Sequence, residues 1–391
     1  MVYVNMDSKR LEIMNDHIPQ KRQIILMLSQ SCNLNCTYCY QSNKSYGIMS
    51  VETAKKILLN ELLQLKTDNR TKFFEIAFLG GEPFLNFSVI KTISEWIWKQ
   101  NIIIHYEITV RTNGTLLSKE IKEWLLKNKK RIKVGLSMDG LSEMNIFNRT
   151  SISIDWKFFY YNWPDERIKI VLFKDSIQYL KKTVDEMNDL YIPFYVEIGE
   201  GFLWDTADAG VFEHQLLELV SDYILKADEA VACGLFSFNQ ADFFPKHKMT
   251  DILFCGKSNN IIAYDIDGSP CICHLFSTPV QSYDVARNSW NNLRDVHSVP
   301  MDPQCISCPV QKVCKTCFGE NMRLYNTIYK SAAINTTCNA VKAKSRVCAY
   351  YYLKCIENKI ESGNILSKEE RDTAIKCINL LNNIPTYIKE I

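Results

Sequence analysis

The chain has 391 residues, with 46 Lys+Arg against 44 Asp+Glu for a formal charge of +2, 47% hydrophobic residues and 15 cysteines. So even a charge balance excludes a broad basic field for nucleic-acid backbones; no apolar run reaches the ~18 residues of a membrane span, and the opening MVYVNMDSKRLEIMND is too charged for a signal peptide. A cytoplasmic protein of one large and one smaller unit is expected, its thiols reduced and, where clustered, suited to metal rather than to disulfides.

Residues 1–22 form an N-terminal segment. From Gln23 to Phe212 short apolar runs alternate with amphipathic stretches, the pattern of βα units around a parallel sheet. The first strand is predicted over 23–30 and its helix over 51–66, with Ser50 as N-cap. Strand two spans 73–80 with a helix at 88–100, strand three 105–112 with a helix at 118–128, and strand four 133–138. An aromatic stretch without period follows at 151–167 and reads as a core-covering segment in preference to a substrate-facing lid. Strand five (168–173) leads to a helix at 175–190, and strand six (193–199) to a helix at about 213–232. Six such units predict an α/β fold, a partial (β/α)6 TIM-like barrel over 23–235. From about Thr250 the chain becomes cysteine-rich and turn-rich, a second unit over 250–340 with short apolar runs such as 261–266. Residues 341–391 read as a helical tail, its helices at roughly 339–361 and 368–383, the latter opened by a Ser367/Glu370 capping box.

The chemistry sits at the predicted strand ends, where barrel enzymes assemble their sites. After strand one comes Cys32-Asn-Leu-Asn-Cys36-Thr-Tyr-Cys39. Three thiolates from one loop can hold three irons of a 4Fe-4S cube and leave the fourth iron open to a substrate or cofactor. A zinc knot would need four closed ligands, and this loop offers no fourth Cys or His. Gly80-Gly81-Glu82-Pro83 ends strand two, where the glycines would let the backbone approach a ligand closely. Thr112-Asn113-Gly114-Thr115 ends strand three, and Ser137-Met138-Asp139-Gly140 ends strand four, with Arg149 beyond. Taken singly, Gly81-Glu82-Pro83 reads as a turn and Arg149 as a surface charge.

Together, in this order, the motifs resemble the signature of the radical S-adenosylmethionine (SAM) superfamily. The resemblance covers roughly residues 23–340. It implies a 4Fe-4S cluster on Cys32, Cys36 and Cys39, with SAM chelated at the open iron. Gly80, Gly81 and Glu82 would meet the SAM amino group, and Ser137 and Arg149 its ribose and carboxylate; Tyr38, Asn113 and Asp139 belong to the same cofactor site. An electron, from a donor such as flavodoxin or ferredoxin, would cleave SAM to methionine and a 5′-deoxyadenosyl radical, which removes a hydrogen atom from the substrate.

Downstream, Cys305-x2-Cys308-x5-Cys314-x2-Cys317 contains two CxxC pairs, which signal metal without choosing iron over zinc. With Cys255-x12-Gly268-x4-Cys273 before it and Cys338 after it, the run resembles the SPASM extension of radical SAM enzymes. That resemblance implies two auxiliary 4Fe-4S clusters. The outer one would take Cys305, Cys308, Cys314 and Cys338; the inner one Cys255, Cys273 and Cys317, with Cys271 or an open position as its fourth ligand. The chain departs from the family in having two residues, not three, between Cys314 and Cys317. Cys233, Cys348, Cys355 and Cys377 lie in helical patterns and read as small buried apolar residues.

SPASM-type members mostly modify ribosomally made peptides or proteins, which implies a peptide maturase forming a crosslink (thioether or carbon-carbon) or an oxidised residue. The sulfatase-maturing branch carries Asp directly after the auxiliary cysteine; His274 stands there instead, so that branch is the alternative. His274 is a candidate catalytic proton acceptor, given its near-neutral ordinary pKa, or else a structural neighbour. A non-catalytic iron-sulfur carrier or scaffold is the reading from another class, and the open-iron spacing and glycine-rich strand end speak against it.

Overall fold

The computed structural model describes residues 20–68, 71–225, 235–236, 251–253, 260–296, 298–314, 316–329, 331 and 335–388. Its elements are β1 (Gln20–Ser29), α1 (Val51–Thr67), β2 (Thr71–Gly80), α2 (Phe87–Ile97), β3 (His105–Thr112), α3 (Lys119–Asn128), β4 (Lys133–Leu136), α4 (Glu143–Asn148), α5 (Trp156–Asn162), β5 (Ile168–Leu172), α6 (Leu180–Asp189), β6 (Phe194–Ile198) and α7 (Thr206–Leu225). There follow β7 (Asp251–Leu253), β8 (Ile261–Tyr264), β9 (Pro270–Cys271), α8 (Tyr283–Leu293), β10 (Ser298–Pro300), α9 (Pro303–Ile306), α10 (Phe318–Tyr325), α11 (Cys338–Glu361) and α12 (Lys368–Asn383).

Strands β1 to β4 pair in parallel and in chain order, Ile24 opposite Ile76, Ile76 opposite Ile108 and Val110 opposite Val134. β5 and β6 form a second parallel pair, with Ile170 opposite Val196. A bridge from Ser137 to Lys169 and the bond from Met138 N to Lys169 O (3.1 Å) carry the curve from β4 to β5. The expected partial α/β barrel is therefore present, with helices on its outside. Ser50 and Ser118 cap α1 and α3 by accepting from Thr53 N and Ile121 N.

Alternation along β1 shows how the two cores divide. Ile24, Leu26 and Leu28 point to the outer core under the helices, whereas Ile25 and Met27 point inward. The inward residues, with Ala77 of β2, do not pack on other barrel strands alone. They meet Ala263, Cys271, Ile272, Phe276, Val299 and Phe318 from the cysteine-rich stretch. Moreover β8 pairs in parallel with β1 (Ile24 opposite Ile262), and β9 adds antiparallel to β8. The run at 261–266, expected to lie in the separate second unit, thus extends the barrel's own sheet.

Two further departures have local causes. The aromatic stretch 151–167 contains α5, capped by Asp155, whose side chain accepts from Phe158 N. Phe159 and Trp163 are buried in the outer core, and the Trp163 indole donates to Ile132 O at 2.8 Å, so it covers the core as expected but in helical form. Helix α7 begins at Thr206, before the expected 213, and Gly210 lies within it. There a Cβ would approach the Tyr387 carbonyl oxygen to 2.8 Å, so close packing of the C-terminal segment selects the glycine. That segment is held by Glu213, a buried carboxylate on α7 that accepts from Arg346 Nε (2.8 Å), Tyr387 N (2.7 Å) and Thr386 Oγ1 (3.1 Å). The capping box at Ser367 and Glu370 is present. Among the described residues no helix is long and apolar enough to cross a membrane.

Candidate active site

A cavity of about 520 Å³ opens at the carboxyl ends of the barrel strands. Cys32, Cys36 and Cys39 line it, together with Tyr38, Gly80, Gly81, Glu82, Asn113, Ser137 and Arg149. These ten residues come from motifs spread over more than a hundred positions, brought together because the motifs follow parallel strands at the same sheet edge. Of the residues expected in the cofactor site, Asp139 alone does not line the cavity. It lies behind the wall, fully buried, and accepts from the Tyr38 hydroxyl (2.6 Å), Asn148 Nδ2 (3.1 Å) and Val171 N (2.9 Å), with Arg149 Nε at 3.0 Å.

The glycines at 80 and 81 are required by the chain's own backbone. A Cβ at Gly81 would sit 2.2 Å from Ser31 O, and one at Gly80, whose φ is +152°, 2.5 Å from Ser29 O. The close approach is to the chain's own backbone at the root of the cysteine loop, which Gly81 N and Glu82 N clamp by donating to Ser29 O (2.8 Å) and Ser31 O (3.0 Å). Glu82 also ties this end to the next strand: its carboxylate accepts from Thr112 Oγ1 (2.7 Å), Asn113 N (2.8 Å) and Phe84 N (3.0 Å). Burial raises the Glu82 carboxyl even so, these donors opposing it. Asn113 Nδ2 in turn donates to Asn33 Oδ1 (3.0 Å) and lies 3.8 Å from Cys32 Sγ.

Electrostatically the cysteine loop is buried beside a fixed positive charge. Burial pushes the Cys36 thiol up to about 11, against the pull of Arg149, and raises Cys32. Arg149 itself lies over the Tyr38 ring, 5.3 Å from its centroid, and its pairing with Asp139 outweighs burial to keep the guanidinium charged. Burial first and Asp139 second raise Tyr38 far above the ordinary phenol, so it stays a neutral donor to Asp139.

The opposite wall comes from β5, β6 and the cysteine-rich stretch. Lys169 and Val171 alternate on β5, and Tyr195 and Glu197 on β6, with Lys169 Nζ 2.5 Å from Glu197 Oε2. His274, Leu275, Cys317 and Glu320 complete the wall. Burial, with Lys169 adding to it, lowers His274 to about 4, so its imidazole is neutral near pH 7. Its ring meets the edge of Tyr40 with centroids 5.9 Å apart. Glu320 is held by Arg323 at 2.6 Å. Gln41, Tyr40, Lys169, Glu197 and Glu320 were not singled out from the sequence. A lysine and a glutamate inside otherwise apolar strands were the available signal for two of them, since inward positions in a barrel strand repeat every second residue.

The remaining cysteines divide. Cys317 faces the central cavity, whereas Cys308 and Cys314 belong to a third apolar cluster between α11 and α12. Asn335 Nδ2 donates to Cys314 Sγ at 3.2 Å, and Lys342 is raised by Cys338 and Cys308 although burial opposes it. Cys305 is buried at α9. Cys271 packs in the inner core, its thiol donating to Ala286 O (3.7 Å) and pushed up to about 12 by burial. Cys273 directly precedes His274 and is half-buried. Cys255 and Cys233 lie outside the described residues. Cys348 and Cys377 are buried, as expected, but Cys355 is exposed, because it falls on the outward side of α11. Among the described residues no disulfide forms, and no three His, Cys, Asp or Glu side chains converge on one point as ligands of a single ion.

Residues 26–193 match the model of the radical SAM superfamily. These residues, a little under half of the chain, form a radical SAM domain. Among curated relatives, the uncharacterized protein MJ0907 of Methanocaldococcus jannaschii is 39% identical over 120 residues, 31% of this chain and 39% of the relative. The cysteine-type anaerobic sulfatase-maturating enzyme of Clostridium perfringens (strain 13 / Type A) is 35% identical over 144 residues, 34% of this chain and 36% of that one. The matched stretches thus span less than two-fifths of either relative. Beyond them the likeness is in fold: native anSMEcpe with bound AdoMet and the Cp18Cys peptide aligns with a TM-score of 0.57 at 20% identity, over 93% of this chain and 100% of that structure. The cysteine-rich stretch that plugs the barrel accords with a SPASM-type radical SAM protein. The superfamily's SAM and 4Fe-4S cluster suit the residues present: three thiols on one loop wall a single cavity, and Leu34 N already lies 3.4 Å from Cys32 Sγ, the kind of N–H···S contact that supports a cluster ligand.

Proposed function

We propose that this radical SAM protein is a peptide-modifying enzyme, which abstracts hydrogen from a ribosomally made peptide or protein and leaves a crosslink (thioether or carbon-carbon) or an oxidised residue. The observation that carries the reading is the shared cavity, with the cysteine loop and Arg149 on one wall and His274, Cys317 and Glu320 of the cysteine-rich stretch on the other. Cys32, Cys36 and Cys39 would hold the 4Fe-4S cluster. Cluster and SAM together supply the 5′-deoxyadenosyl radical chemistry. The protein's own part is to orient and to exclude water. Gly80, Gly81 and Glu82 fix the strand end against the cysteine loop, while Ser137 and Arg149 offer a hydroxyl and a permanent charge to the cofactor. Asp139 holds Tyr38 and Arg149 in place as a positioning residue. Neutral His274 is a proton acceptor at the substrate side.

Two auxiliary clusters fit this reading as electron acceptors. Cys305, Cys308, Cys314 and Cys338 would hold the outer one, and Cys255, Cys273 and Cys317 the inner, with flavodoxin or ferredoxin as the external donor. Cys271 is the weaker fourth ligand, being packed in the inner core. A peptide substrate is supported by the peptide bound in the anSMEcpe structure. Sulfatase maturation is the second reading, favoured by the Clostridium perfringens relative, whereas His274 in place of Asp favours crosslinking.

Anaerobically reconstituted protein given reductant and SAM is expected to release 5′-deoxyadenosine. Intact clusters without that product would instead mark an iron-sulfur carrier. Mass spectrometry of a small peptide co-expressed with the chain should show loss of two hydrogens, and a His274→Ala protein that forms product at the same rate would remove the proton-acceptor role.

A further inference from the structure

Among the described buried side chains that leave a polar atom without a partner, three line the central cavity: Gln41, His274 and Arg149. Arg149 Nε has Asp139 Oδ2 at 3.0 Å, so its charge is answered. Gln41 Oε1 and His274 Nδ1 are not answered. Buried polar atoms in folded proteins are nearly always satisfied, so an orphan facing a cavity points to a group the cavity admits.

The chemistry of the two atoms defines that group. Gln41 is 5% exposed, and its Nε2 donates to Gly80 O at 3.1 Å. A carbonyl can receive only the N–H end of an amide, so Oε1 is left as a fixed acceptor. The imidazole of His274 can present Nδ1 as a donor, and Tyr40, the neighbour of Gln41, holds the ring by an edge contact. The segment is anchored to the cysteine-rich stretch as well, Asn43 N donating to Pro279 O at 2.9 Å. Leu79 and Leu275 line the same cavity and supply apolar surface. One acceptor and one donor on neighbouring parts of the lining complement the N–H and C=O of a single amide.

We propose that Gln41 and His274 grip a backbone peptide group of the substrate, Gln41 Oε1 accepting its N–H and His274 Nδ1 donating to its carbonyl. The inference rests on the peptide-modifying reading above and deepens it: recognition at this point is of main chain, and independent of the side chain being modified. It makes the pair specificity-determining for peptides over other acyl compounds.

The test uses the full chain, reconstituted anaerobically with SAM, and two probes with one acyl group each: N-methylpropanamide, and methyl propanoate, in which an ester oxygen replaces the N–H. Saturation-transfer NMR titration of the wild-type protein should show the amide bound about tenfold more tightly than the ester. Gln41→Met should erase that preference, Gln41→Glu, which keeps an acceptor oxygen, should retain it, and His274→Phe should weaken both probes while leaving the preference in place. Circular dichroism checks each variant; should Gln41→Met fail to fold, Gln41→Glu and His274→Phe still decide. An amide preference that survives Gln41→Met, that is lost in Gln41→Glu, or that is absent from the wild-type protein overturns the proposal. Wild-type protein that prefers the amide but releases no 5′-deoxyadenosine would overturn the enzymatic reading and leave the peptide grip standing.

Discussion

Asp139 shows how a motif residue can matter without touching a ligand. Among the described residues its carboxylate is the one charge that compensates the buried Arg149 guanidinium at contact distance, and it also receives Tyr38, Asn148 and the β5 backbone. Replacing it by alanine leaves a buried arginine uncompensated, so Asp139→Ala should cost about 3–5 kcal/mol of stability, measured by urea unfolding of the apoprotein. An Asp139→Ala protein as stable as wild type would mean that Arg149 swings out to solvent. The sequence showed these residues because the family signature is local: each motif is a few contiguous positions after a strand. Gln41, Lys169, Glu197 and Glu320 escaped because their relevance comes from which wall of the cavity they face, and that follows from barrel closure rather than from neighbours in the chain.

At the level of strands and turns, two features carry expectations. Gly81 packs against the cysteine loop with no room for a methyl group, a Cβ there reaching 2.2 Å from Ser31 O. Gly81→Ala must push the loop or the strand end aside; a stability loss of about 1–3 kcal/mol is expected, together with reduced iron uptake in reconstitution, read by colorimetric iron analysis. Glu75 of β2 stitches three strands, accepting from Lys21 (2.7 Å) and Gln23 (3.1 Å) of β1 and from Thr109 (2.6 Å) of β3. Burial alone would raise its carboxyl, but these partners hold it below the usual glutamate range. The unfolded state therefore binds the proton more readily, so this contribution is complete above the unfolded value of about 4.5 and fades as pH falls through the folded one. Glu75→Gln should flatten the fall of melting temperature with acid below about pH 4.5, and a parallel acid limb in both proteins would count against the stitch. Helices were legible where capping and period agreed, as at Ser50 and Ser367. The start of α7 was not: the backbone N–H of Asp208 donates to the Asp205 carboxylate (2.8 Å) and that of Asp205 to the Asp208 carboxylate (3.1 Å) at its first turn, but Gly210 reads as a breaker until Tyr387 is seen packed against it.

Across the whole molecule, the barrel and the cysteine-rich stretch are one construction. The alternation of apolar runs gave away six βα units, but a run such as 261–264 does not announce its partner, since parallel pairing leaves no local mark. β8 covers the outer edge of β1, and residues from the same stretch fill the concave side of the sheet. A chain ended at residue 225 would bare the β1 edge and the apolar face of Ile25, Met27 and Ala77, and it should elute as soluble oligomers or precipitate in size-exclusion chromatography; a clean monomer would argue against the shared sheet. The same pairing has a consequence for biogenesis. Ile24 waits for Ile262, 238 positions later, and at ~5–20 residues per second of synthesis that is about 12–48 s on the ribosome with a half-built sheet open to any passing strand. A nascent chain so arranged cannot settle its first strand until most of its message has been read, and a holding chaperone during translation would be expected to raise its yield.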